Sequence, residues 1–239
     1  MRAKLAEILR DPPQIHREET EVTRDFSTSG LSPKLARSVN STQVKNYGIG
    51  SAVVQFIFDH IDADSESLET GCGLSTLVFA TKKAKHTSVT ADPDEPVRLG
   101  EYAQKHQIDL GTIRFLAEPS EKALPKFSTA GLDLVLLDGK HAFPWPIVDW
   151  FYTADLLKRG GVMLVDDCNM RSVGVLVDFL KSESDRWCHV AKLGRTEIFE
   201  KKADSALDVA WRMQPWMAQS SQIRDIARGI RNRVRSLTR

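Results

Sequence analysis

The segment Leu68-Glu69-Thr70-Gly71-Cys72-Gly73-Leu74-Ser75-Thr76 places an acid, two glycines and two hydroxyls where a strand would pass into a helix. That order suits a nucleotide-type cofactor. Glycines let the backbone turn tightly and approach a ligand with no Cβ in the way. The free N–H groups of the following helix then face the ligand. Carboxylates recur at the ends of four later extended runs: Asp92, Glu118, Asp138 and the pair Asp166-Asp167. Five acidic ends in a row are hard to explain as solvated surface alone.

The same residues narrow the cofactor. A dinucleotide-binding turn uses Gly-x-Gly-x-x-Gly, whose third glycine lets helix and strand pack closely. Position 76 is Thr, and no Gly-x-x-x-x-Gly-Lys-Ser/Thr phosphate loop occurs anywhere in the chain. A cofactor without phosphates needs no cationic cradle. Its ribose hydroxyls would use carboxylate acceptors, and a charged amino-acid end would favour polar, acidic surroundings.

Several elements must hold these residues in place. Apolar residues at helical spacing (Val53, Val54, Ile57, Phe58, Ile61) predict a helix over 51–61 that packs on a sheet. A strand ending near Glu69 leads through the glycine turn to a helix over 75–83. Next come a strand over 87–92, a helix over 96–107 with Pro96 in its first turn, and a strand over 113–117. The run Leu132-Asp133-Leu134-Val135-Leu136-Leu137 reads as a strand buried on both faces. A helix from 146 to 158 should end on Gly160-Gly161, followed by a strand over 162–165 and a helix over 173–182. Residues 190–193 and 196–199 complete the pattern as a hairpin. This alternation predicts an α/β protein with a doubly wound, mostly parallel sheet and a C-terminal antiparallel hairpin. In such sheets ligands sit outside the carboxyl ends of the strands, where the five acidic ends lie.

The chain has 239 residues, 41% hydrophobic and 27% charged, enough for one large domain with appended arms. We divide it into an N-terminal arm or lid over 1–50, the cofactor domain over 51–203 and a tail over 204–239. No apolar run reaches the ~20 residues of a membrane-spanning helix, and the first residues lack the apolar stretch of a secretory signal. Cys72, Cys168 and Cys188 have no metal spacing and read as reduced thiols of a cytoplasmic protein. The net charge of +1 hides a basic tail with seven arginines against one aspartate over 212–239. There Ile223, Ile226, Ile230, Val234 and Leu237 recur at spacings of three and four, which predicts a basic amphipathic helix. Such a helix suits packing on a second copy of the chain, with contact to an anionic membrane surface as an alternative. No recognition module points to nucleic acid.

Glu69-Thr70-Gly71-Cys72-Gly73, Ala91-Asp92-Pro93 and Gly160-Gly161 before a final parallel strand together resemble class I S-adenosylmethionine-dependent methyltransferases, over roughly residues 45–200. Within that superfamily, Leu136-Leu137-Asp138-Gly139-Lys140-His141 and Val165-Asp166-Asp167 are similar to metal-dependent O-methyltransferases of the catechol type and to bacterial sugar- and antibiotic-modifying relatives. The resemblance implies a Rossmann-like fold with S-adenosylmethionine as cofactor. Glu69, Gly71, Gly73 and Ser75 would line its methionine and ribose side. Asp92 would accept from the ribose hydroxyls, with Thr90 as competitor, and Ser120 would border the adenine beside Glu118 and Glu121. Asp138 belongs to both the cofactor site and the catalytic site. Asp138, Asp166 and Asp167 match the positions that hold a divalent cation such as Mg²⁺ in the catechol-type enzymes, with Asp167 standing where those usually carry Asn. His141 falls where they place a lysine base.

The function these residues imply is methylation of an oxygen on a small-molecule or glycan-like acceptor. Deprotonation would fall to His141 or to the cation. Phe143-Pro144-Trp145-Pro146 and Trp150 would wall the acceptor, although the helical pattern equally suits Trp150 and Phe151 as core, Phe151 more so. Gln43, Asn46 and Tyr47 would belong to a lid. His60, His86, His106 and His189 fit helix ends or solvent-facing positions. Two other readings remain open: a nicotinamide-dependent oxidoreductase, opposed by Thr76, and a methyltransferase-like binding protein without catalysis.

Overall fold

The structure, a computed structural model, describes residues 1–15, 49–204 and 214–217. The expected lid residues Gln43, Asn46 and Tyr47 and the amphipathic run 223–237 lie outside the described residues. In chain order the elements are α1 (Arg2–Arg10), α2 (Ser51–His60), β1 (Glu66–Thr70), α3 (Leu74–Lys82), β2 (Lys85–Thr90), α4 (Asp94–Lys105) and β3 (Ile113–Ala117). There follow α5 (Ser120–Ala123), a 3-10 turn (Leu124–Lys126), β4 (Leu132–Leu137), α6 (Trp145–Thr153), β5 (Leu157–Val165), α7 (Arg171–Ser182), β6 (Trp187–Leu193) and β7 (Thr196–Lys201).

The strands form one sheet in the order β3-β2-β1-β4-β5-β7-β6. β1 through β5 pair in parallel, and β7 and β6 close the edge antiparallel. The winding reverses at β1, which has β2 on one side and β4 on the other. A crevice opens at such a reversal, at the carboxyl ends of the strands. Here those ends are Thr70 and Leu137, with Gly71 and Asp138 directly beyond them.

Alternation along β4 divides the core. Val135 and Leu137 pack under α6 and α7 with Trp150, Val173, Leu176 and Leu180. Leu134 and Leu136 face α1, α2 and α3, meeting Leu5, Val54, Ile57, Val78 and Phe79. Side chains in a strand alternate between faces, so Leu132 should share a face with Leu134, yet it joins the α6–α7 side. A register shift against β5 between Leu132 and Leu134 accounts for the change. Full burial of each such aliphatic side chain stabilises the fold by about 1.5–3 kcal/mol.

The helix expected over 146–158 stops at Thr153, and Leu157–Gly161 belongs to β5 instead. The glycine pair ends no helix. Gly161 lies where a Cβ would meet Lys158 O at 2.9 Å and Leu132 O at 3.0 Å, so it lets β5 run tightly beside β4. The assignment of the two α6 aromatics reverses as well. Trp150 is 6% exposed in the core and Phe151 is 48% exposed, because the inward stripe of this short helix runs through Pro146, Asp149, Trp150 and Thr153. No helix among the described residues is long and apolar enough to cross a membrane.

Candidate active site at the carboxyl ends of β1, β2, β4 and β5

The glycine turn is clamped from both neighbouring strands. Gly71 N–H donates to Val89 O at 2.8 Å, and Ser88 Oγ donates to Gly71 O at 2.7 Å. On the other side Asp138 N–H donates to Thr70 O at 3.0 Å. Gly71 has φ +114, and a Cβ there would lie 2.6 Å from Asp138 O. The backbones of the two loops therefore meet at the point of reversal with no room for a side chain. Gly73 N–H donates to Thr76 Oγ1 at 2.9 Å, which fixes the first turn of α3.

Glu69, expected to line the ligand, is 1% exposed beneath this turn. Its carboxylate accepts from Ser75 Oγ at 2.5 Å and from Thr76 Oγ1, and His86 Nε2 lies 3.2 Å away. His86 is itself buried, stacked on Phe79 and bonded to Ser67 Oγ at 2.8 Å, so it is no solvent-facing residue. Glu69 thus shapes the loop from within. Thr76, which stands where a dinucleotide site has its third glycine, carries one of these internal bonds. Cys72 is 4% exposed, and burial together with the nearby Glu69 charge pushes its thiol up to about 12.

Asp92 follows β2 and pairs with Arg98, 2.8 Å away, while its Oδ1 accepts from Asp94 N–H at 2.9 Å. Thr90 is buried, with its hydroxyl on the Glu95 carboxylate. Ser120 opens α5 beyond β3, and Glu118 beside it pairs with Lys126 at the surface. These positions lie at or just beyond the carboxyl ends of β2 and β3.

On the β4–β5 side Asp138, His141 and Asp167 converge, each offering a ligand atom within 4.8 Å of the others. His141 Nε2 lies 3.5 Å from Asp138 Oδ1, and its Nδ1 lies 3.6 Å from Asp167 Oδ2. Ser172 Oγ at the start of α7 donates to the His141 carbonyl and pins the turn. Burial pushes the Asp138 carboxyl up to about 7, a neighbouring Asp166 adds to that push, and the His141 bond opposes it. Burial pulls His141 down, but the Asp138 bond and the charges of Asp138, Asp167 and Asp166 outweigh it, so the imidazole is raised above its ordinary value.

Asp166, expected beside Asp138 and Asp167, stands apart from this cluster. It is 3% exposed and its Oδ1 accepts from Thr196 Oγ1 in β7. Asp167 has φ +53, the backbone twist that turns consecutive aspartates in different directions. Its other oxygen lies 3.0 Å from the Arg195 guanidinium, contributed by the turn between β6 and β7. Arg195 gave no sign in the sequence, since nothing local links a hairpin turn to the end of β5.

The aromatic segment divides. Phe143 is 68% exposed, the Phe143–Pro144 peptide is cis, and Lys140 Nζ sits 4.5 Å over the Trp145 ring. Trp150 belongs to the core. Asp149, which the sequence reading passed over, is 2% exposed behind the Asp138–His141 turn. Its signal was available: a carboxylate between Val148 and Trp150 in an otherwise apolar helix.

A family model described as a methyltransferase domain matches residues 68–168, from the end of β1 to the residue after Asp167. No curated protein matches the sequence. Among solved structures, an O-methyltransferase from Bacillus cereus in complex with SAH (S-adenosylhomocysteine) superposes with TM-score 0.55 at 11% identity, covering 75% of this chain and 96% of that one. Cofactor-bound Rv0187 from MTB gives 0.55 at 15% identity, over 74% and 95% of the two chains. An rRNA methylase from Streptococcus thermophilus gives 0.51 at 12%, over 64% and 96%. One fold thus serves different acceptors in these neighbours, and at such identities the likeness speaks for the fold alone. From Leu68 to Cys168 the chain thus matches a methyltransferase domain, and its mostly parallel sheet has the fold of the methyltransferase structures it superposes on.

Proposed function

We propose that the protein transfers a methyl group from S-adenosylmethionine to an oxygen of a small-molecule or glycan-like acceptor, with His141 taking the acceptor's proton. The observation that carries this reading is the imidazole held between Asp138 and Asp167, next to the Gly71 turn. The acceptor oxygen attacks the sulfonium methyl in line, the carbon–sulfur bond gives its pair to sulfur, and the proton passes to His141. Alignment supplies most of the acceleration in such a displacement. A general base adds typically about 10²–10⁴-fold. The two carboxylates orient the ring and stabilise the imidazolium that forms. On the donor side Gly71, Gly73 and the start of α3 would hold the methionine end, Asp92 the ribose and Ser120 the adenine.

A second reading follows from the convergence of Asp138, His141 and Asp167. Two carboxylates and an imidazole fit a divalent cation, Mg²⁺ or Mn²⁺, in the chemistry of their donors. Asp166 would then support the site instead of ligating. A bound cation would lower the acceptor hydroxyl's pKa. The two readings compete for one imidazole, since a ligating nitrogen is no base.

A labelled-methyl screen over metabolite and glycan fractions, with and without chelator, tests both. Transfer that resists chelation and falls at least about 100-fold in His141→Ala supports the base. Loss of transfer on chelation, restored by Mg²⁺ or Mn²⁺, supports the cation. Binding of S-adenosylhomocysteine without transfer to any fraction would favour a non-catalytic binding protein.

A further inference from the structure

Asp149 is a carboxylate sealed in the protein interior, and it forms no ion pair among the described residues. Burying a charge without a counter-charge is costly unless hydrogen bonds compensate. An apolar residue would complete the inward stripe of α6 at no such cost, so the position needs another explanation.

Three loops of the site meet at this side chain. A Cβ on Gly139 would come within 3.2 Å of Asp149 Oδ2 and 3.0 Å of Thr70 Oγ1, so the turn between Asp138 and His141 rests directly on both. Thr70 ends β1 and leads into the glycine turn. The hydroxyls of Ser120, at the start of α5, and Thr70 lie against the carboxylate and favour its charged form, against a larger opposing push from burial. Asp149 Oδ1 and Thr70 Oγ1 are shielded from water and complete no hydrogen bond of ordinary geometry among the described residues.

We propose that Asp149 is a positioning residue for methyl transfer. From α6 it sets the turn bearing Asp138 and His141 relative to the β1 loop and to Ser120. That a reaction is what it positions for rests on the function proposed above; the mechanical role does not. Asp149 touches neither donor nor acceptor. It acts through Gly139, Thr70 and Ser120.

The test is hydrogen-exchange mass spectrometry on the full chain, in wild type, Asp149→Asn and Thr70→Val, alongside S-adenosylhomocysteine calorimetry and transfer rates. Asp149→Asn should speed exchange in 138–144 by about tenfold while β1 and β4 keep their protection. Transfer should fall by about 10–100-fold, as expected when a reacting group is displaced by a fraction of an ångström to 1 Å. Thr70→Val keeps the shape and removes a hydroxyl, so it should give the same local pattern should Asp149→Asn fail to fold. Exchange that rises evenly across the sheet, or stays unchanged in 138–144, overturns the proposal. A wild type that binds no S-adenosylhomocysteine and transfers no methyl sinks the functional reading alone, since the exchange pattern still decides what Asp149 holds.

Discussion

Replacing Gly71 by Ala tests the idea that the cofactor loop is built by a close backbone approach. The backbone at Gly71 has φ +114, outside what a side chain tolerates, and the added Cβ would lie 2.6 Å from Asp138 O. A residue held in a sparsely populated conformation costs about 1–3 kcal/mol. Overpacking against an atom that cannot swing away adds about 1–3 kcal/mol. That atom is a backbone carbonyl, and its neighbour Asp138 N–H is already bonded to Thr70 O, so relief requires β1 and β4 to separate locally. We expect a net loss of about 3 kcal/mol, which for a domain of this size lowers Tm by about 6–12 °C. Affinity for S-adenosylhomocysteine should fall further than stability alone predicts, because relief displaces the loop end that meets the ligand. Thermal melting and calorimetry read the two effects. Gly50→Ala is the control, since nothing lies within 4 Å of its Cβ position. If Gly71→Ala melts within about 1 °C of wild type and binds S-adenosylhomocysteine normally, the close approach has no such role.

Four further outcomes follow from the same geometry. The transfer rate should rise with pH through a midpoint above that of an ordinary histidine, because His141 is raised; Asp138→Asn should move the midpoint down by removing the bond that raises it. Stability has its own sign: Asp138 is raised from 3.8 to about 7, so the folded state binds the extra proton and loses stability as pH climbs through that window. The Tm difference between pH 4 and pH 8 should therefore shrink in Asp138→Asn. Cys72, pushed up to about 12 and buried, should resist a thiol reagent until the domain unfolds, and rapid labelling of the native protein at Cys72 would contradict its burial. Glu69→Gln should cost about 1–3 kcal/mol by denaturant melting, since it unbalances a buried set of Ser75, Thr76 and His86.

Local pattern carried the architecture because each strand announces itself. The run 132–137 is mostly buried, and every parallel strand has a carboxylate within two residues of its end. Where two local signals conflicted, the reading failed. Gly160-Gly161 looks like a helix end, and only the proximity of β4 reveals it as a strand passing close to its neighbour. Trp150 faces inward and Phe151 outward because the inward stripe of α6, which ends at Thr153, runs through Pro146, Asp149 and Trp150. His86 looked solvent-facing because its partners, Ser67, Glu69 and Phe79, come from other elements.

The site repeats that division at finer scale. The resemblance to catechol-type enzymes points to Asp138, His141, Asp166 and Asp167 together, but direction decides which of the two adjacent aspartates joins the cluster. A φ of +53 at Asp167 sends its carboxylate toward His141 and Arg195, while Asp166 turns to Thr196. Arg195 then bears on the choice between base and cation. With one Asp167 oxygen held by a guanidinium at 3.0 Å, a divalent ion would have to share that carboxylate or displace the arginine. Arg195→Ala therefore separates the two chemistries. If a cation holds the acceptor, removing the competing charge should tighten metal binding and raise transfer at limiting Mg²⁺. If His141 is the base, the same change removes a positive charge near the ring and should shift the pH midpoint upward with no metal dependence. A variant that changes neither would show that Asp167 is only a support for the turn.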